Sequence, residues 1–336
     1  MLLTPKNLLA AGKRLVVLLG VVMLLLTTLL SGCKKQTPSS PDPQPEIQAA
    51  KIAQARIESN IALALQYVRE NPVDGWSSTV SYPYEKTNMV YPTLTDAQRN
   101  LYDEMLPNVK DMVPFAYTAE EDGYDVLDNV LIAASALCKD YPEYEIYFDI
   151  VEVLDGDITT ALRASYALPY DPTAASTTDT ELIQNEVQIF EAECNLVVAA
   201  IPNDFSTYDK YRYLAALISL TTSYDNSFTG GKATATAYGA IEGGSAICQG
   251  YATGFEYLCR KANLWCTQVS GISQNVSHAW NLVKLESGTY HVDVTWADAD
   301  ANAPLDPSWQ SYFMLTQDEI LMDHEIEDET VATGQK

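Results

Sequence analysis

The sequence predicts an α+β fold in which a helical N-terminal half leads into a smaller half built around a sheet. Two observations carry this expectation. From Ile57 to Leu220 the apolar residues recur mainly at three- and four-residue spacing, the period of amphipathic helices. The texture then changes to glycine pairs, Gly230-Gly231 and Gly243-Gly244, and to alternating stretches such as Trp280, Leu282 and Tyr290, Val292, Val294, around one more helical pattern. No internal repeat is present.

The first element is an address. Residues 1–14 carry Lys6, Lys13 and Arg14 and no acid, and Leu15 to Leu30 is apolar except for Gly20, Thr27 and Thr28. This reads as a signal-peptide core, short for a stable membrane span. It ends in Leu30-Ser31-Gly32-Cys33, which resembles the lipobox of bacterial lipoproteins. The resemblance implies a signal peptide over 1–32, lipidation of Cys33, and an extracytoplasmic protein anchored to a bacterial cell membrane. Residues 33–47, with Pro38, Pro41, Pro43 and Pro45, read as an extended tether.

A mainly helical region is expected over 48–200. Ile57, Ile61, Leu65 and Val68 form the stripe of a first helix that stops at Asn71-Pro72. Thr95-Asp96-Ala97-Gln98 can form a capping box for a second helix carrying Leu101, Met105 and Leu106. A third runs from about Asp122 to Lys139, before Tyr141-Pro142. After a Thr/Ser/Ala loop from Asp171 to Thr180, a fourth carries Leu182, Val187, Phe190 and Leu196. Ser206-Thr207-Tyr208-Asp209 announces a fifth, within the remaining domain, 201–336.

Charge narrows the function classes. The 336 residues hold 20 Lys+Arg against 45 Asp+Glu, a formal balance of −25, so there is no basic surplus to neutralise nucleic-acid phosphates. Removing the three cations of residues 1–32 leaves −28, which also keeps the body off anionic lipid. The six cysteines form no C-x-x-C pair, so each is judged separately.

Acyl transfer by cysteine needs a thiolate, a base beside it and a group that orients the base. Gly243-Gly244-Ser245-Ala246-Ile247-Cys248-Gln249-Gly250 precedes the helical pattern Ala252, Phe255, Leu258, Cys259, which puts Cys248 at a helix N-terminus. Unpaired amides there lower a thiol pKa and can hold an oxyanion. His278, in Ser277-His278-Ala279-Trp280-Asn281, is the candidate base, and Asp293, in Val292-Asp293-Val294-Thr295-Trp296, the candidate orienter. Glu286-Ser287-Gly288 between them reads as a hairpin turn. A loop of Glu286 and Ser287 pairs Asp293 opposite Trp280, diagonal to His278; a loop of Ser287 and Gly288 enlarges the offset; a three-residue loop separates the faces.

At these residues, from Gly230 to Asp298, the chain resembles the transglutaminase-like superfamily, papain-like cysteine enzymes with a Cys-His-Asp triad. Gly-Ser-Ala-Ile-Cys248-Gln-Gly-Tyr-Ala, His278-Ala-Trp-Asn and Val-Asp293-Val-Thr-Trp stand in the family's order and spacing. The resemblance implies a nucleophile helix packed on a small antiparallel sheet and an enzyme acting on amide bonds of proteins or peptides through a thioester. Transglutaminase, peptidase and deamidase remain open, and no cofactor or metal is called for. The alternative is a non-catalytic binding or scaffold lipoprotein that retains the fold.

The other residues have structural readings. Cys138 and Cys194 belong to helix cores, and Cys259 and Cys266 are core thiols close enough in sequence to form a disulfide. His291 is read as alternating away from Asp293 onto the strand surface, and His324, in an acidic tail, as solvated. Trp280 and Trp296 are expected to pack around the triad. Asp298, Asp300, Asn302 and Asp306 mimic the start of a calcium loop but lack its sixth-position glycine and its final acid.

Overall fold

The computed structural model describes residues 44–84, 90–166, 180–227, 230–298, 305 and 307–327. The expected signal peptide, Cys33, most of the tether, most of the 171–180 loop and Asp300, Asn302 and Asp306 lie outside them.

Helix α1 (Gln44–Glu70) starts ahead of the expected Gln48 because Pro45 falls in its first turn, where a missing N–H leaves no intrahelical bond unmade. Ile57, Ile61, Ala64 and Val68 form its buried stripe. Helix α2 (Asp96–Asp111) is held by the expected capping box. Thr95 Oγ1 accepts from the Gln98 amide at 3.3 Å, and the Thr95 amide donates to Gln98 Oε1 at 3.0 Å, an arrangement contributing about 1 kcal/mol.

Strand β1 (Ala116–Thr118) precedes α3 (Tyr124–Asp140) and the short α4 (Pro142–Glu145), and a hairpin follows, β2 (Phe148–Asp155) and β3 (Ile158–Tyr166). These strands form an antiparallel sheet of order β1-β3-β2 inside the region expected to be mainly helical. Its pattern was blurred because Val151, Leu154 and Ile158 are exposed, so apolar residues occupy both faces. The local signal is Asp155-Gly156 between β-branched runs, with Asp155 paired to Ile158 across a tight turn.

Helix α5 (Thr180–Ala199) leads to α6 (Thr207–Thr221), which Ser206 caps by accepting from the Asp209 amide at 3.1 Å. α6 is apolar on nearly every side, with Tyr211, Tyr213, Leu214, Leu217 and Ile218 all buried, and forms the centre of the molecule. Strand β4 (Ser223–Tyr224) pairs in parallel with β5 (Ser245–Ala246), which feeds α7 (Cys248–Lys261). Gly250 lets the first turn of α7 lie against the preceding segment, since a Cβ there would sit 2.3 Å from the Thr234 carbonyl oxygen.

Strands β6 (Cys266–Ser273), β7 (Val276–Leu285) and β8 (Gly288–Val292) are followed by the one-turn α8 (Val294–Ala297). Then come β9 (Phe313–Leu315), α9 (Gln317–Ile320) and β10 (His324–Ile326). The sheet is five-stranded and antiparallel, in the order β10-β6-β7-β8-β9, and α7 packs on β6 and β7. One continuous core joins the helical half to this face of the sheet. A smaller cluster of Val269, Trp280, Leu282 and Ile320 fills the face under α9. The chain is thus a mixed helix and sheet protein with a helical N-terminal half and a small antiparallel sheet behind the helix of Cys248. Among the described residues no helix is long and apolar enough to cross a membrane.

Candidate active site

Cys248 is the first residue of α7, and Ile247 before it is extended and offers no side-chain cap. The helix therefore presents its first amides to whatever stands at its N-terminus. β7 is bound to α7 through Asn281, which is fully buried and donates from Nδ2 to the Ala252 carbonyl at 3.0 Å. That bond sets the strand carrying His278 against the helix carrying Cys248.

The hairpin register is the first of the three alternatives. Leu285 pairs with Gly288 and Asn281 with Val292, so Glu286 and Ser287 form the loop. The ladder ends at Val292. Asp293 then turns inward as N-cap of α8, accepting the Trp296 amide on Oδ1 at 3.1 Å. Its Oδ2 lies 2.8 Å from His278 Nε2. With Nε2 committed to Asp293, the imidazole nitrogen that meets the Cys248 sulfur is Nδ1. The structure thus brings Cys248, His278 and Asp293 together in one chain of contacts.

The electrostatics follow from these contacts. Burial pushes the Cys248 thiol up. The hydrogen bond and charge of His278, with the Ala279 and Gln249 amides, outweigh burial and hold it below the ordinary thiol value. Burial alone would make His278 less basic, but its bonds to Asp293 and Cys248 raise it to about 9. Asp293 is wholly buried, which disfavours its charge, yet donors from His278, His324 and the Trp296 amide keep it below the usual carboxylate value. The pair is therefore poised as thiolate and imidazolium. The indoles of Trp280 and Trp296 lie 5.9 and 6.2 Å from the His278 ring and wall it from water. The Cys248 amide meets the phenol of Tyr224, which stacks on Tyr251.

Two histidine expectations are corrected. His291 is 1% exposed, because residues two apart on a strand share a face and this face is covered by α9. Its Nδ1 accepts from Trp280 Nε1 at 3.0 Å, so its Nε2 carries the proton donated to Gln317 Oε1 at 2.9 Å. His324 is buried rather than solvated. Its Nε2 is 3.1 Å from Asp293 Oδ2, and its Nδ1 is 2.6 Å from Asp323 Oδ1. Gly271 permits this approach, since a Cβ there would stand 1.9 Å from the Glu325 carbonyl oxygen and push β10 away.

His278, Asp293 and His324 offer ligand atoms within 4.8 Å of one another, a donor set able to hold a divalent metal. The nitrogens involved already face carboxylate oxygens at hydrogen-bond distance, so protons satisfy the cluster. Cys259 and Cys266 are buried free thiols, hydrogen-bonded to each other.

No curated protein matches the chain. A solved structure described as a crystal structure of a TGase aligns at 16% identity with a TM-score of 0.29, covering 44% of this chain and 43% of that one. The match thus spans less than half of that structure's own length. Residues 197–301, which hold Cys248, His278 and Asp293, match the model of the transglutaminase-like superfamily.

Proposed function

We propose that the chain is a cysteine acyltransferase or hydrolase that attacks amide bonds of proteins or peptides through a thioester, held at the outer side of a bacterial membrane by a lipid on Cys33. The observation that carries the catalytic reading is the continuous hydrogen-bonded line from the Cys248 sulfur through His278 to the buried Asp293 carboxylate.

The Cys248 thiolate adds to the amide carbonyl carbon, and charge moves to the carbonyl oxygen, where first-turn amides of α7 can receive it. The C–N bond then breaks as His278 gives its Nδ1 proton to the leaving nitrogen, leaving a thioester on Cys248 and a neutral imidazole. An amine or water next adds to the thioester carbonyl while His278 takes a proton from it. The C–S bond breaks with its electron pair on sulfur, restoring thiolate and imidazolium. A net charge of −28 beyond residue 32 favours neutral or cationic substrates by long-range steering.

The test is mass spectrometry of the protein incubated with a mixed peptide library, with and without a primary amine. Acyl adducts on Cys248, resolved by amine or by water, are expected and identify the acceptor. A Cys248 that is neither acylated nor alkylated in a His278-dependent way overturns the enzyme reading in favour of a scaffold.

A further inference from the structure

The triad carboxylate serves two imidazoles. Asp293 Oδ2 is 2.8 Å from His278 Nε2 and 3.1 Å from His324 Nε2. His324 has no acceptor role to play on its other side, because Nδ1 meets Asp323 Oδ1 at 2.6 Å. Ionised carboxylates only accept hydrogen bonds, so a ring with a carboxylate oxygen at each nitrogen donates from both, which is the imidazolium form. Asp323 is suited to this pairing: its side chain is 45% exposed, and Tyr312 donates to its Oδ2 at 2.7 Å. The Trp280 indole meets the His324 ring edge-on at 4.9 Å and Tyr312 lies at 6.2 Å, so the ring is fixed. Of the other titratable groups, His291 is neutral between Trp280 and Gln317, the Tyr224 phenol and Cys248 lie on the His278 and Asp293 side, and the Tyr312 phenol lies on the Asp323 side.

We infer that His324 is a positioning residue of the acyl-transfer site: a fixed imidazolium between Asp293 and Asp323, it keeps the buried Asp293 carboxylate ionised and aimed while His278 is uncharged. The inference rests on the thioester reading above. In the resting site the His278 imidazolium balances Asp293. Once His278 has given its proton to the leaving nitrogen and the sulfur is acylated, that cation is gone, and a wholly buried carboxylate without a cation takes up a proton. His324 touches no reacting atom and stays charged through this half-cycle. Asp293 is then ready when water adds to the thioester, its proton passes to His278 Nδ1, and the C–S bond breaks to give carboxylic acid, thiolate and imidazolium.

The sign of the effect is fixed. Removing a cation beside the Asp293–His278 pair raises the pair's affinity for a proton, whichever of the two holds it. The basic form needed for deacylation then appears only at higher pH.

The test uses p-nitrophenyl acetate on the full chain, with the p-nitrophenol burst reading acylation and the steady state reading deacylation across pH 5–9. His324→Gln keeps an N–H for Asp293 but no charge. It should move the acid limb of deacylation up by about one pH unit and slow deacylation about tenfold on that limb, with little change above it. A merely structural role would lower the rate equally at every pH, or be rescued by glutamine. In parallel, 15N spectra of the wild-type imidazoles should show His324 doubly protonated before and after acylation while His278 turns neutral. This measurement decides the matter if the variant does not fold. A wild-type burst with an unmoved limb in His324→Gln, or a neutral His324 ring, overturns the inference alone. A wild-type chain with no burst removes the thioester reading and this inference with it.

Discussion

Asp293 meets His278 at 2.8 Å across a hairpin because a two-residue turn, Glu286-Ser287, makes the register even. Extending the ladder from Leu285–Gly288 places Asp293 opposite Trp280 and one diagonal step from His278, and the inward turn after Val292 closes the gap. The contact thus depends on loop length. Inserting one glycine between Glu286 and Ser287 should shift the pairing by one residue and turn Asp293 to the other face. Circular dichroism should stay near wild type, since the helices lie elsewhere, while alkylation of Cys248 at pH 6 falls at least about tenfold. Wild-type alkylation in the insertion variant would show that Asp293 does not govern the thiolate.

Thiol chemistry separates Cys248 from its neighbours. Cys138 is half-buried like Cys248, but burial pushes its thiol up to about 12, and Cys194 and Cys266 are raised by complete burial. Iodoacetamide at pH 6 should therefore mark Cys248 in preference to the rest. Cys248→Ala should abolish turnover and His278→Ala nearly so. Asp293→Ala should retain a residue after a loss of about 10³–10⁴-fold, because it orients the base without joining the bond making. Peptide mapping that finds the label on Cys259 or Cys266 would relocate the nucleophile.

Lipid attachment is tested apart from catalysis. Cys33→Ala should abolish incorporation of a fatty-acid analogue and release or stall the precursor, because the thioether anchor needs that sulfur. Labelling that persists in the variant would leave the anchor without its proposed site.

What the sequence disclosed was what local chemistry specifies. The Thr95–Gln98 box, the Ser206 cap and the placement of Cys248 at a helix start each depend on residues within one turn. The hairpin was legible down to its loop length, which only the ladder decides. His324 was hidden because its role lies in a partner 31 residues away, and its acidic neighbours Asp323 and Glu325 read as a solvated tail. The turn begun by the Thr316–Glu319 capping box and the absence of a side chain at Gly271 fold that tail onto β6. The β2–β3 hairpin was hidden because its exposed apolar residues mask the two-residue period.

A buried acid, Glu193, and a half-buried one, Glu242, give the last expectation, on stability. Glu242 sits beside α1, where Arg56 donates to its backbone carbonyl, and its side-chain Oε2 has no hydrogen-bond partner among the described residues. Burial first, then the charges of Glu193 and Glu186, push Glu242 up to about 8 against the pull of Arg56, and burial raises Glu193 to about 7. The folded protein therefore keeps protons that the unfolded chain gives up near 4.5. With more protons bound in the native state, stability is greatest at low pH in this window and falls as pH rises from about 4.5 to about 8. Glu242→Gln keeps the shape and removes the titration. Against wild type it should be nearly neutral at pH 5 and stabilising by up to about 4 kcal/mol at pH 8 in urea unfolding, since each of the roughly three pH units between is worth roughly 1.4 kcal/mol before relaxation of the pair reduces the sum. A variant that gains nothing between pH 5 and pH 8 would mean that Arg56 or water already carries the Glu242 charge.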